Sequence, residues 1–439
     1  MDWRTRYAEK LTSPQAAAGL VRSGDTVLFG YFTSTPETMA NALLARAPEL
    51  NDVTVHHYVS PFVWATPETA GHFRLVTGFA TPADRKQIAS GEAEYVPLGN
   101  FRADWIRDVL YAGGIDVLFV KTSPPNANGY MSFGAAVWAN ITAAQVSRKI
   151  VCEVDDRLIR TGGDNFIHIS QVDCLVEHDR TQDREPPIPP RSEETAAATE
   201  VICTVIANEL VHDRDTLQIG IGDVSSALAL YLDGREDIGI QTEIIPGGVI
   251  EMVERGVITG KFKDIAPGKV VGSAFAVLPP EELAKVHENP RFELWDFCHT
   301  DDLRVLVQQR NFVAVNNALQ IDLTGQVTAE TLNGAVFSGP GGQTVFAMAA
   351  SYCEGGRSII ALPSSSLAGG ERHSRILSRL PAGSVITTPR SFVDYVVTEQ
   401  GVATLRGKTV RERIGELASV AHPDFRAELR REAAAAYNI

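Results

Sequence analysis

The chain has 439 residues, 44% of them hydrophobic and 21% charged, with a formal net charge of −14. That length exceeds one ordinary hydrophobic core and implies two domains, and the composition is that of a globular enzyme rather than a disordered chain. The acidic balance repels phosphate and excludes broad binding to nucleic acid or to an anionic membrane surface, so an anionic ligand has to be held by local dipoles and a few placed cations.

At the amino end, "MDWRTRYAEKL" carries charges with no apolar run behind it, so no secretory leader is expected. No apolar stretch approaches the roughly 18 residues that would span a bilayer. "DTVLFG" (25–30) predicts a strand, 36–47 a helix and "DVTVHHYV" (52–59) the next strand. "IDVLFVKTS" (115–123) and "KIVCEVD" (149–155) are further strands. Near-continuous apolar strands alternating with helices predict an α/β fold with mostly parallel sheets covered on both faces. "DRTQDREPPIPPRSEE" (179–194) is charged, proline-rich and unsuited to a buried element. It reads as the linker between an N-terminal α/β domain, 1–184, and a C-terminal one, 185–439. The five cysteines (Cys152, Cys174, Cys203, Cys298 and Cys353) are odd in number and never spaced as CxxC. They point to reduced thiols in a cytoplasm, with no disulfide frame and no metal site.

After the linker a helix is expected over 195–210, and the pattern then repeats the opening of the chain. "GDTVLFGYFTSTPETMANAL" (24–43) aligns with "RDTLQIGIGDVSSALALYL" (214–232) at a shift of 190. In each, a strand ends in glycine, a helix follows and another strand comes next: "DVTVHHY" in one half, "DIGIQTE" in the other. The reading is a duplicated α/β unit, with the site between two related halves.

Ligands of open α/β sheets bind beyond the carboxyl ends of the strands. Two features of the second half stand there. In "QIGIGDVSSALALYL", Gly220 and Gly222 allow a tight turn, Asp223 is a candidate N-cap and a helix follows, so free N–H groups can face an anion or a polarised carbonyl. The third glycine of a dinucleotide fingerprint is absent, Ser225 standing in its place, and Asp223 would repel a pyrophosphate. The second feature is Glu243, between the apolar strand end at Ile238 and Ile240 and the turn Pro246-Gly247-Gly248, with an amphipathic helix expected over Val249 to Val257. An isolated acid there would serve only the helix dipole. Beside the glycine turn it is a candidate nucleophile: with an ordinary pKa of about 4.3 it is ionised at neutral pH, and a carboxylate can attack a thioester, whose thiolate leaves readily.

Seven segments in order carry a resemblance: "SPPNANGYMSFG" (123–134), "LQIGIGDVSSAL" (217–228), "TEIIPGGVIEMVERGVI" (242–258), "NNALQIDLTGQV" (316–327), "SGPGGQTVF" (338–346), "GRSIIALPSSS" (356–366) and "YVVTEQGVATLRGKTVRERI" (395–414). Over nearly its whole length the chain resembles the acetyl-CoA hydrolase/transferase family of class I coenzyme A transferases, near its 4-hydroxybutyrate and butyryl-CoA:acetate branch. The resemblance implies ping-pong catalysis with Glu243 as nucleophile. It also implies backbone oxyanion donors at Ile221 and Gly341. Coenzyme A contacts carry over to Gly220, Ile221, Gly222, Asp223, Val224, Asn317, Ala318, Gly341 and Gly342. Glu399 is a second catalytic candidate, orienting the incoming carboxylate. The implied substrates are an acyl-CoA and a short carboxylic acid, with coenzyme A a substrate and no cofactor permanently bound, in a cytoplasmic homodimer or larger homo-oligomer. Basic residues of "ERHSRILSR" and "LRGKTVRER" are candidates for the coenzyme A phosphates, although most read as solvated helix faces, and His373 reads as a solvated or structural residue. The chain departs from commoner family patterns at Asn126, Asn128, Pro246-Gly247-Gly248, Pro340 and Thr404. Water attacking the same acyl-glutamyl species would make a hydrolase, and a related fold without catalysis would be a coenzyme A or sugar-phosphate sensor. The presence of Glu243 favours the enzyme.

Overall fold

The computed structural model describes residues 3–60, 62–99, 102–184 and 192–437. The chain forms two compact units, Met1–Ile188 with Ser273–Thr300, and Pro189–Gly272 with Asp301–Ile439, so each unit takes two pieces of chain. Of the expected linker, Arg180–Gln182 forms a 3-10 turn and Glu193 starts a helix, while 185–191 lie outside the described residues.

The first unit is built on a parallel sheet in the order Cys174–Glu177, Ser147–Val154, Ile115–Thr122, Thr26–Phe29, Val53–His57, Phe73–Thr77, Ala93–Tyr95. The strands expected from the apolar runs are present within a residue or two. Val27, Leu28 and Phe29 are fully buried although they point to opposite faces, as a strand covered on both sides requires. On one face Val27, Phe29, Val55 and Phe119 pack with Met39 and Leu43 of the helix Glu37–Leu44. Each such side chain contributes about 1.5–3 kcal/mol on burial.

The second unit repeats the plan. Its strands run Gly401–Thr404, Tyr395–Thr398, Arg357–Ala361, Phe312–Asn317, Thr216–Ile219, Gly239–Gln241, Val270–Gly272. Their pairing is parallel apart from the antiparallel edge strand Gly401–Thr404. In both units the first strand lies centrally, its successors in sequence fill one side, and the chain then crosses to fill the other. That shared order is the three-dimensional counterpart of the repeat at 24–43 and 214–232. The helix expected over 195–210 forms as Glu193–Val205 and ends in a π-turn at Ile206–Leu210. Within the buried strands Asn316 Nδ2 donates to Gln218 Oε1 at 3.0 Å across adjacent strands.

Candidate functional site

Parallel pairing brings the carboxyl ends of the second unit's strands to one edge. Ile219 runs into the Gly220–Gly222 turn, Gln241 into Thr242 and Glu243, Asn317 into Ala318, Ala361 toward Ser364, and Thr398 into Glu399. Residues up to 180 positions apart in sequence therefore share one rim, where ligands of such sheets bind.

Glu243 is half-buried between the strand Gly239–Gln241 and the pair Ile244–Ile245. Its Oε2 accepts the backbone N–H of Gly342 at 2.8 Å. Gly342 is the N-cap of the helix Gln343–Tyr352, so the positive end of that helix faces the carboxylate. A second acid stands beside it: Asp301 is 2% exposed, and its Oδ2 and Glu243 Oε2 border the same point next to Gly342. Burial pushes the Glu243 carboxyl above its ordinary value, and the Gly342 amide and Asp301 hydrogen bonds pull it back in part. The Gly342 position has no room for a side chain: a Cβ there would lie 2.5 Å from both Glu243 Oε2 and Asp301 Oδ2. The amide that meets Glu243 directly follows Gly341, whose φ of +51° shapes the turn that delivers it. The helix after Glu243 is shorter than expected, Val249–Glu254, because Gly256 turns the chain with a φ of +77°.

Of the two glycines in the GIG turn, only Gly222 has a glycine-specific backbone, at φ +123°. It is also the N-cap of the helix Asp223–Ala227, so Asp223 is the first helical residue and not the cap expected from the sequence. Glycine's missing side chain lets the turn accept Asn317: a Cβ on Gly222 would lie 1.9 Å from Asn317 Nδ2. Ser225 Oγ donates to Asn317 Oδ1 at 2.8 Å from the same turn. The structure therefore joins Gly222, Ser225 and Asn317, next to the buried Ala318. Ile221 is 49% exposed at the tip, whereas the Val224 side chain is core.

Glu399 is engaged by a residue the sequence reading did not single out. Ser364 N–H donates to its Oε2 at 2.9 Å, and Ser364 Oγ to its Oε1. The guanidinium of Arg375, from "ERHSRILSR", is largely buried with Asp223 and Glu399 as its charged neighbours. Other cations of the two basic runs are committed elsewhere: Arg372 to Glu194, Arg379 to the carbonyl of Ala436 and Lys408 to Glu416. His373 is exposed on the hairpin Ser365–Ala368 and Glu371–Ser374.

The first unit carries its own strand-end cluster, also missed. Glu37, Glu153 and His178 lie close enough to hold a metal ion, but Lys121 is ion-paired with Glu37 and Glu153 Oε2 accepts the N–H of Met39 at 2.9 Å. Cation and helix amides already supply the positive partners. Nearby, Asn126 Oδ1 accepts the N–H groups of Asn128 and Tyr130 at 2.9 and 3.0 Å, so Asn126 shapes its own turn. Two open depressions of this unit, of about 540 and 230 Å³, are lined by Arg6 and His168 and by Asp155 and His178, and the acids of the second unit line neither.

Asp301 had no signal in the sequence, since "HTDDLRV" contains neither a glycine turn nor a periodic acid. Ser364 was visible only as part of a longer matched segment.

Comparison with known proteins draws these observations together. The acetyl-CoA hydrolase/transferase N-terminal domain matches residues 1–182 and its C-terminal domain residues 281–433, with Glu243 between them. The 4-hydroxybutyrate coenzyme A transferase of Clostridium kluyveri is 34% identical over 98% of this chain and 99% of its own. The butyryl-CoA:acetate CoA-transferase of Anaerostipes caccae is 30% identical over 99% and 98%. The crystal structure of RipA from Yersinia pestis superposes with a TM-score of 0.87 at 30% identity, covering 100% of both chains.

Proposed function

The chain belongs to the acetyl-CoA hydrolase/transferase family and is a coenzyme A transferase, and from that premise we propose that it moves coenzyme A from an acyl-CoA to a short carboxylic acid by ping-pong chemistry on Glu243. The observation that carries this reading is the Glu243 carboxylate on the strand-end rim, its Oε2 held 2.8 Å from the Gly342 amide.

In this mechanism a Glu243 oxygen bonds to the acyl carbon and the coenzyme A thiolate leaves, giving an acyl-glutamyl anhydride. The thiolate then attacks the glutamyl carbonyl, releasing the first acid as carboxylate and leaving a glutamyl-CoA thioester. The second carboxylate attacks that thioester, and the freed thiolate takes the new acyl group. Each stage carries one negative charge and consumes no proton. Catalysis therefore depends on fixed donors for the successive oxyanions, proposed here as the turn amides at Ile221 and at Gly341–Gly342. The Gly222–Asn317–Ala318 junction is the proposed pantetheine contact, and Glu399, held by Ser364, the orienter of the incoming acid. Arg375, which has Asp223 and Glu399 as its charged neighbours, is the cation proposed to serve both. No permanently bound cofactor is invoked. The protein is proposed to act in the cytoplasm, where the five cysteines, none in a disulfide, would remain reduced, and as a homo-oligomer.

The test is to incubate the enzyme with acyl-CoA, reduce with borohydride and map peptides by mass spectrometry. Reduction confined to the peptide bearing Glu243 is the expected result; an unmodified Glu243 peptide in active enzyme refutes the assignment.

A further inference from the structure

The segment "SPPNANGYMSFG" (123–134) takes no part in the chemistry proposed above, and it borders the depression of about 540 Å³ in the first unit. Three stretches of chain line that depression: Trp3 and Arg6 of the helix Trp3–Lys10, Ala127 and Asn128 of the turn after Asn126, and His168 and Ser170 where the strand Phe166–His168 runs into a 3-10 turn. Trp3 Nε1 donates to the carbonyl of Ala127 at 3.0 Å, which ties the helix to the turn. A Cβ on Gly129 would lie 2.7 Å from His168 Nε2 and 3.2 Å from Trp3 Cβ, on a backbone with a φ of +84°. The three walls therefore meet over a position that only glycine can fill.

The polar groups of these walls are donors. Ser170 N–H donates to His168 Nδ1 at 3.2 Å, so the neutral imidazole carries its proton on Nε2. Asn126 closes the turn with its own side chain, which leaves the Asn128 carboxamide unused. Among the described residues, neither that carboxamide nor the half-buried Arg6 guanidinium has a hydrogen-bond or ion-pair partner, and no lining residue is acidic. In a chain of net charge −14, a cation without a counter-charge beside two further N–H donors is one of the few places where an anion is welcome. The guanidinium fork can take two oxygens of a phosphate side by side, and the imidazole and carboxamide N–H groups serve the third. A pocket of this size holds a small organic ligand, and the Trp3 ring gives it an aromatic wall.

We propose that the first unit binds a nucleoside monophosphate in this depression, outside the transfer reaction, with its phosphate on Arg6, His168 and Asn128 and its base against Trp3. The Arg4 guanidinium lies over one face of the Trp3 ring, 4.6 Å from its centroid, and the base is assigned to the other face.

Calorimetric titration of the full-length enzyme with AMP, in saturating coenzyme A so that the transfer site is filled, tests the assignment. One AMP per chain is expected, with inorganic phosphate bound at least about tenfold more weakly because it lacks the base. Arg6→Gln removes the fork, and Asn128→Asp sets a carboxylate opposite it. Each is expected to raise the AMP dissociation constant at least about tenfold, while kcat and KM for acyl-CoA stay within about twofold of wild type. AMP that fails to bind the enzyme saturated with coenzyme A, or that binds R6Q and N128D as tightly as wild type, overturns the proposal. Phosphate bound as tightly as AMP overturns it as well, since Trp3 would then contribute nothing.

Discussion

An alanine at position 222 would put its Cβ 1.9 Å from Asn317 Nδ2, on a backbone whose φ of +123° L-residues rarely adopt. At position 220 the nearest heavy atom to such a Cβ is Gln218 Nε2, at 3.7 Å. Gly222→Ala is therefore expected to cost about 2 kcal/mol or more in stability and to raise KM for coenzyme A at least tenfold, while Gly220→Ala stays within about 0.5 kcal/mol of wild type. Chemical denaturation and steady-state kinetics on the pair check this, and equal behaviour of the two variants is the refuting result. Glu243→Gln keeps the shape of the side chain and removes the nucleophile, so turnover is expected to fall by about 10⁴-fold or more with the fold intact. Glu243 was legible in the sequence because an acid at the end of an apolar strand, beside a glycine turn, is costly unless it is used. Asp301 was not, because its significance lies entirely in a neighbour 58 positions away.

Helix ends and strand ends do the positioning at the scale of elements. The helix Gln343–Tyr352 points its amino end at Glu243, and in the first unit the helix Glu37–Leu44 does the same to Glu153, at the end of the strand Ser147–Val154. Glu153 also binds His178, whose Nδ1 lies 2.5 Å from its Oε1 while Nε2 meets Asp183 at 2.8 Å. Burial opposes the charge on His178, but the hydrogen bond and charge of Glu153 and the hydrogen bond to Asp183 outweigh it, and the pKa is raised. A pKa raised on folding stabilises the native state below the unfolded value, about 6.5, and that contribution is lost as pH climbs through the folded value. His178→Gln is accordingly expected to destabilise by about 2 kcal/mol near pH 6, with the gap in melting temperature closing toward pH 9. A gap that widens with pH would contradict the assignment. The strands and helices themselves follow from apolar periodicity, whereas the N-cap at Gly222 and the early end of the helix Val249–Glu254 follow from single positive-φ glycines that a pattern reading overruns.

For the whole molecule, the repeated strand order makes two α/β units from one plan, and the second concentrates Glu243, Gly342, Asp301, Gly222, Asn317, Ser364 and Glu399. Ping-pong transfer predicts parallel double-reciprocal lines when acyl-CoA is varied at several fixed concentrations of acetate, and an acyl-CoA loss that depends strongly on the added acid. Intersecting lines, or equal rates with and without acid, would replace transfer with a ternary mechanism or with hydrolysis.

The order of strands and helices, the doubling of the α/β unit and the glutamate proposed as nucleophile were all marked in the sequence alone, because each rests on local pattern: runs of apolar residues, a glycine turn, an acid at the end of an apolar strand. Which groups meet that glutamate was decided by the tertiary structure. Parallel pairing carries distant strand ends to one rim, and only there does the Gly342 amide, drawn from a separate stretch of chain, meet Glu243 Oε2, with the buried Asp301 carboxyl beside the same glycine.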